Sequence, residues 1–319
     1  MSNRILFHAF QDGTLWASRR NEILKGTDPG GHFATYAKLP GMPFNLCIPL
    51  LNRLTRHAIH HILPLSGRSL MVVTKGRLLF LQNGAVTHTR TITRGSRPLR
   101  SGICVLPDNS IICGDYWGNP DREPVRLYIS TNQGIDWDIL WQSERGQTRH
   151  IHLVQPVEGY PDHIYFSTGD RDNEAALYRL HLRDRTAQTI GGGAQSWRMV
   201  SLVQHRDTLI WGSDCQYQQN HIYRFNLTTR QLEPVQTIPG PAYYSTRDRR
   251  GRLYIATTVE DRRRHQAIIL SSTDGRSWDV VRTFQKDIWP PKLFGYGVVE
   301  FIEGQEKIEH LLYNLKGLL

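Results

Sequence analysis

Short apolar runs separated by turn residues recur along the whole chain, and inside each run the side chains alternate as they do in strands. Residues 149–182, RHIHLVQPVEGYPDHIYFSTGDRDNEAALYRLHL, display the unit: an apolar strand, a turn, a second apolar strand ending in Gly-Asp, a polar loop, and a strand of LYRL type. The unit repeats. IHHILPLSG (59–67) matches IHLVQPVEG (151–159) at Ile, His, Pro and Gly. GICVLPDNSIICGDYWGNPDREPVRLYIS (102–130), MVSLVQHRDTLIWGSDCQYQQNHIYRFNL (199–227) and YYSTRDRRGRLYIATTVEDRRRHQAIILSS (243–272) follow the same order. Equivalent points lie about 40–50 residues apart, a period that with four short strands per unit belongs to β-propellers. No helix-length 3.6-residue period stands out, so the expectation is one all-β propeller domain over residues 1–319.

The ends bear on ring closure. The tail, LFGYGVVEFIEGQEKIEHLLYNL (293–315), reads as the first two strands of a blade, and the head, RILFHAFQDGTLWASRR with FATYAKLP, as outer strands without inner ones. Joined, they would make one composite blade; with five internal units this predicts six blades, or seven if the head holds more strands.

Two segments point to a family. STNQGIDW (130–137) and SSTDGRSW (271–278) each place Ser, Gly four residues on, and Trp three later. This resembles the Asp-box, S-x-D-x-G-x-T-W, of the sialidase-like propeller superfamily. Asn132 and Thr273 stand where the aspartate belongs, Asp274 comes one place late, and Asp136 and Ser277 replace the threonine. The resemblance implies turns between third and fourth strands, with short polar side chains holding turn amides and Trp packed between blades. The Arg-Ile-Pro type motif of true sialidases is absent.

In such a ring, loops leading into the innermost strands and loops joining second to third strands emerge on one face, around the central channel. The first kind carries Arg56, His57, His60, Arg97, Arg100, Arg149, His150, His152, Trp197, Arg198, Tyr243, Tyr244, Phe294 and Tyr296. The second kind carries Asp115, Tyr116, Trp117, Asp170, Arg171, Asp172, Glu174, Asp214, Gln216 and Glu260. Candidate catalytic residues are His150, Asp170, Asp115 and Tyr244. Candidate binding residues are Arg149, Arg198, Arg100, Trp117, Arg171, His152, Glu260 and Tyr296. The bland reading is a solvated rim of Arg–Asp pairs that hold neighbouring blades together.

Charge narrows the partner. The chain of 319 residues carries a net charge of +10, which favours an anionic ligand. Arginine forks bind carboxylates, aromatic rings stack on sugars, and carboxylates or histidines of shifted pKa serve as acid and base. The leading expectation is therefore an enzyme acting on an acidic saccharide of uronic or sialic type, by hydrolysis or by lyase chemistry. The alternative is a non-catalytic propeller that binds a glycan or a protein through the same face. Nucleic acid is disfavoured, because basic runs such as RDRRGR and DRRRH lack interleaved aromatic residues.

His150 and His152, two residues apart on a strand, face the same way, so a divalent metal with His57 is conceivable without being required. GGGA (191–194) lacks the Lys-Ser/Thr of a phosphate loop, and there is no G-x-S-x-G. Four cysteines include no CxxC pair; Cys104 and Cys113, opposite each other if PDNS is a hairpin turn, are expected as thiols. No apolar stretch reaches membrane-spanning length and no leader pattern opens the chain, so the expected location is the cytoplasm.

Overall fold

Both faces of every blade are covered by neighbours, and this dictates where the apolar residues fall. The strand Ser69–Thr74 is buried at all six positions. Each apolar cluster joins two adjacent blades: Ile62 and Val72 pack with Ile23 and Ala37, Ile151 and Phe166 with Ile112 and Leu127, and Ile255 and Leu270 with Ile210 and Ile222. The core is thus a ring of inter-blade seams, each burying enough apolar surface to hold its two blades together.

The computed structural model describes residues 4–40, 49–261 and 265–319. It is an all-β, six-bladed β-propeller of four-stranded antiparallel sheets, each with strands in sequence order from the channel outwards. The blades span 6–38, 61–91, 103–142, 150–192, 203–238 and 242–285. Their innermost strands are Leu6–Gln11, His61–Pro64, Ile103–Val105, His150–Val157, Val203–His205 and Ala242–Arg247. Two short helices stand between sheets: α1 (Pro49–Thr55) precedes the innermost strand His61–Pro64, and α2 (Pro291–Phe294) precedes Val298–Phe301 near the C-terminus.

The ends meet, as the head and tail patterns suggest, but they do not merge into one sheet. The head builds a complete four-stranded blade, and the tail forms a separate hairpin, Val298–Phe301 with Tyr313–Lys316, between the sixth blade and the first. Hydrogen bonds close the ring: Phe10 N–H to Glu303 O (2.8 Å), Glu303 N–H to His8 O (3.0 Å), and both polar ends of the Asn314 amide to the Phe7 backbone. Val299, Phe301 and Leu318 pack on Ala256 and Ile269 of the sixth blade.

The Asp-box-like turns lie where expected, between third and fourth strands. In the first, Ser130 Oγ accepts the Gly134 N–H (2.8 Å) and Asn132 Oδ1 accepts the Asp136 N–H (2.9 Å). In the second the serine is Ser272 rather than Ser271; it accepts the Gly275 N–H (2.8 Å), and Asp274 Oδ1 takes the amides of Arg276 and Ser277. Serine and acid have shifted together by one residue, so the late aspartate still finds its turn. Those amides hold the Asp274 carboxyl at about 2.

Cys104 pairs with Ile112, and Cys113 with Ile103, one step from the expected register. The two sulfurs therefore belong to different seams, and both are thiols. Cys47 and most of DRRRH lie outside the described residues.

Candidate functional site

Blade four shows how the fold builds a site at the channel mouth. His150, at the start of the innermost strand, pairs with Gly169, so Asp170 in the next loop falls beside it. His152 is the extra residue of a bulge, since Ile151 pairs with Thr168 and Leu153 with Ser167. Bulges re-aim side chains, and here the two imidazoles converge with centroids 4.7 Å apart. His8 and Tyr243 occupy equivalent bulges in the first and sixth blades, between Phe7 and Ala9 and between Ala242 and Tyr244.

Asp170 is the hub of this mouth. Its Oδ2 lies 2.7 Å from Arg149 Nη1; its Oδ1 lies 3.2 Å from Arg198 Nη2, 3.3 Å from His150 Nε2 and 3.4 Å from His152 Nε2. Burial alone would raise the Asp170 pKa, but the two histidines outweigh it and hold the carboxylate far below its usual range. Burial also lowers the His152 pKa to about 4, against the pull of Asp170. Arg198, only 7% exposed, reaches from Asp170 to Asp214 Oδ2 (3.3 Å) in the next blade. Burial, with Glu260 and Asp170 nearby, lifts Asp214 well above the carboxylate range despite Arg198.

Aromatic groups surround this hub. Tyr116 lies against His150 with centroids 4.3 Å apart, and burial beside Asp170 and Asp214 pushes its hydroxyl up to about 12. Tyr243 donates its hydroxyl to Glu260, which also accepts from the Gln216 amide (3.0 Å). Tyr296 lies at the rim, 37% exposed, and feels the carboxylates of Glu260 and Asp214.

Other expected site residues do different work. Asp115 is buried and accepts the Arg126 N–H (3.0 Å) within its own blade. The Trp117 ring takes the Arg94 guanidinium (5.1 Å), and only its carbonyl meets the hub, 3.0 Å from His150 Nδ1. Arg171 is mostly exposed, 3.8 Å from Glu174. His57 is not part of the hub; among the described residues, the set able to place ligand atoms within 4.8 Å of one another is His150, His152 and Asp170.

Arg100 and Tyr244 belong to a second buried cluster, at the closure of the ring. Arg100 Nη1 lies 3.2 Å from Glu300 Oε2 and its Nη2 donates to His8 O (2.8 Å). Lys316 Nζ lies 2.8 Å from Glu300, and Tyr244 donates to it more weakly at 3.4 Å. Lys316 and Arg100 together overcome burial and hold the Glu300 carboxyl at about 2. Glu300 and Lys316 lie outside the repeat alignment because the two-stranded tail hairpin is not a full blade, and His8 because the sequence pattern reads the head as outer strands when it is in fact a complete blade. A charged residue within an apolar tail strand, GVVEF, is the one signal that marks Glu300.

No family model and no curated protein matches the chain. Solved structures do. A propeller assigned as TolB from Agrobacterium tumefaciens is 10% identical with a TM-score of 0.51, covering 80% of this chain and 85% of that one. A chain of the mitotic checkpoint complex is 9% identical with a TM-score of 0.57 over 89% of this chain and 80% of that one. The extracellular domain of a B. thetaiotaomicron protein assigned as a hybrid two-component system is 12% identical with a TM-score of 0.57, covering 90% of this chain and 34% of that one. At such identities the likeness establishes the propeller and nothing finer.

These findings correct the leading expectation. The likenesses run to propellers of other kinds rather than to sialidases, and none of the three is named as a glycan enzyme. Asp170, the expected catalytic carboxyl, is engaged at one oxygen by Arg149 and at the other by Arg198. The expected acidic-saccharide ligand finds no support among these likenesses. No helix among the described residues is long and apolar enough to cross a membrane.

Proposed function

We propose that this propeller is a non-catalytic protein-binding ring that takes up its partner on the mouth face. The observation that carries the reading is an exposed apolar ledge made by α1 and α2. Arg53 of α1 joins the two helices, donating to Phe294 O (3.1 and 2.9 Å) and pairing with Asp287 (2.5 Å). Around this joint stand Leu51, Leu54, Ile288, Trp289, Leu293 and Tyr296, with Ile288 88%, Leu293 57% and Leu54 50% exposed. Apolar side chains gathered on one face in this way mark interaction sites in soluble proteins, whereas single exposed ones do not.

α1 leads into the innermost strand His61–Pro64, and Tyr296 beside α2 feels the mouth carboxylates Glu260 and Asp214, so the ledge lies on the same face as Arg149 and Arg171, which stand 38% and 72% exposed. Apolar anchors on one face with partly exposed guanidinium groups suit a peptide segment with carboxylates set among large apolar side chains. The hub around Asp170 then serves as a rigid floor. Two of the similar structures are a chain of the mitotic checkpoint complex and the extracellular domain of a hybrid two-component system, which agrees with a binding role without assigning a partner.

A displayed-peptide selection against the full chain tests this. The expected outcome is enrichment of peptides that combine acidic and large apolar residues, with affinities that fall tenfold or more in Leu293→Asp or Leu54→Asp and weaken with salt. A selection that enriches nothing, or peptides whose binding ignores both substitutions, overturns the reading.

A further inference from the structure

We propose that His150, His152 and Asp170 form a binding site for a divalent transition-metal ion, with Nε2 of each histidine and Oδ1 of the aspartate as ligands. The spacing fits. The two Nε2 atoms lie 3.3 and 3.4 Å from the same carboxylate oxygen. Ligands about 2.0–2.1 Å from a tetrahedral ion stand about 3.4 Å from one another, which follows from ordinary zinc–nitrogen and zinc–oxygen bond lengths.

The proton positions argue more strongly. His150 Nδ1 lies 3.0 Å from the Trp117 carbonyl, which can only accept, so Nδ1 carries the hydrogen. In the neutral ring Nε2 then presents a lone pair. That nitrogen is buried and makes no hydrogen bond, although it lies 3.3 Å from Asp170 Oδ1. Two acceptors lie 3.3 Å apart across this gap, an arrangement that a metal ion or a proton between them relieves. The carbonyl clamp on Nδ1 is also the usual way a metal-binding imidazole is oriented.

The surroundings leave room for that role. Arg149 holds Asp170 through the other oxygen, Oδ2, as a hydrogen-bonded carboxylate ligand requires. Arg198 touches Oδ1, but it also donates to the Asp170 carbonyl (3.2 Å) and pairs with Asp214, so it keeps two partners when an ion takes Oδ1. Two imidazoles and one carboxylate suit zinc, iron(II), cobalt or nickel, and disfavour calcium and magnesium, which prefer all-oxygen sites. The competing occupant is a proton, which would make His150 an imidazolium paired with Asp170.

The test uses the untagged full chain after chelator treatment. Calorimetric titration with zinc is expected to show one equivalent per chain, and cobalt(II) a visible absorption band. His152→Gln and Asp170→Asn are expected to weaken zinc binding at least tenfold, as loss of ligand-shell partners does elsewhere. Because either variant can disturb the mouth, imidazole nitrogen-15 spectra of the unsubstituted chain give an independent reading: zinc moves the Nε2 signals of His150 and His152 and leaves those of His8 and His61 in place. Absence of stoichiometric binding, wild-type affinity in His152→Gln, or a His150 protonated at both nitrogens and indifferent to zinc each overturns the proposal.

Discussion

At the scale of single residues, backbone conformation and close packing decide what each position tolerates. Gly134 in the first Asp-box-like turn has φ +86°, and a Cβ there would fall 2.0 Å from the Phe80 ring of the neighbouring blade. Gly275 repeats the device in the second turn, with φ +71° and Ile210 Cδ1 at 2.4 Å. Gly134→Ala combines left-handed strain with overpacking and is expected to cost roughly 2–4 kcal/mol, read as a lower urea midpoint at unchanged slope. The same substitution at Gly146, equally left-handed but with open space around it, should cost only the strain. Equal losses at the two positions would rule out a packing role for Gly134. Chemistry obeys the same local logic: His150 is oriented by one carbonyl, and His152 by one inserted residue in its strand.

At the scale of elements, the turn between third and fourth strands is a folding device whose serine does what the pattern implies. Ser130 is 1% exposed and holds the Gly134 amide. Removing its hydroxyl by Ser130→Ala leaves that buried N–H unpaired, and a loss of about 1–3 kcal/mol is expected in denaturant unfolding, with the mouth face unaffected in peptide binding. Much of the candidate site was legible at this scale. Placing Arg149, His150, Asp170, Arg198 and Asp214 on one mouth required only the repeat and the rule that two kinds of loop share a face. What was not legible were pairings that depend on side-chain reach: Trp117 turned its ring to Arg94, Asp115 turned to the Arg126 amide, and Arg198 spanned two carboxylates of adjacent blades. Register was equally hidden, since the one-step slip that separates Cys104 from Cys113 leaves the alternation of both strands intact.

At the scale of the molecule, the closure of the ring is held by charge as well as by backbone bonds. Arg100 from the third blade and Lys316 from the tail meet on Glu300, all beside the head strand that carries His8. Glu300 is 2% exposed and its pKa is held at about 2, below its ordinary value. A carboxylate depressed in this way stabilises the fold at pH above its unfolded value of about 4.3, and that contribution is lost as pH falls towards 2. Thermal unfolding between pH 5 and pH 2 should therefore show a fall in midpoint that is smaller in Glu300→Gln, which is itself less stable at neutral pH by roughly 3–5 kcal/mol because Arg100 and Lys316 lose the buried carboxylate they share. An acid transition that is unchanged in Glu300→Gln would assign the loss to other carboxylates.

The sequence by itself determined the architecture and gathered the candidate residues on one face of the ring. A strand-type alternation, a period of about 40–50 residues and turn residues at fixed places are properties of near neighbours along the chain, and they leave few folds open. The tertiary structure alone decided that the head is a whole blade with the tail hairpin beside it, that bulges turn His8, His152 and Tyr243 out of simple alternation, and that Asp170 gathers two arginines and two histidines. These outcomes depend on distances of a few ångströms between residues far apart in sequence, set by sheet twist and by how the ring closes. The same holds for the mouth: arginines, histidines and carboxylates were visible there as types, while their mutual engagement around Asp170 exists only once the blades are packed.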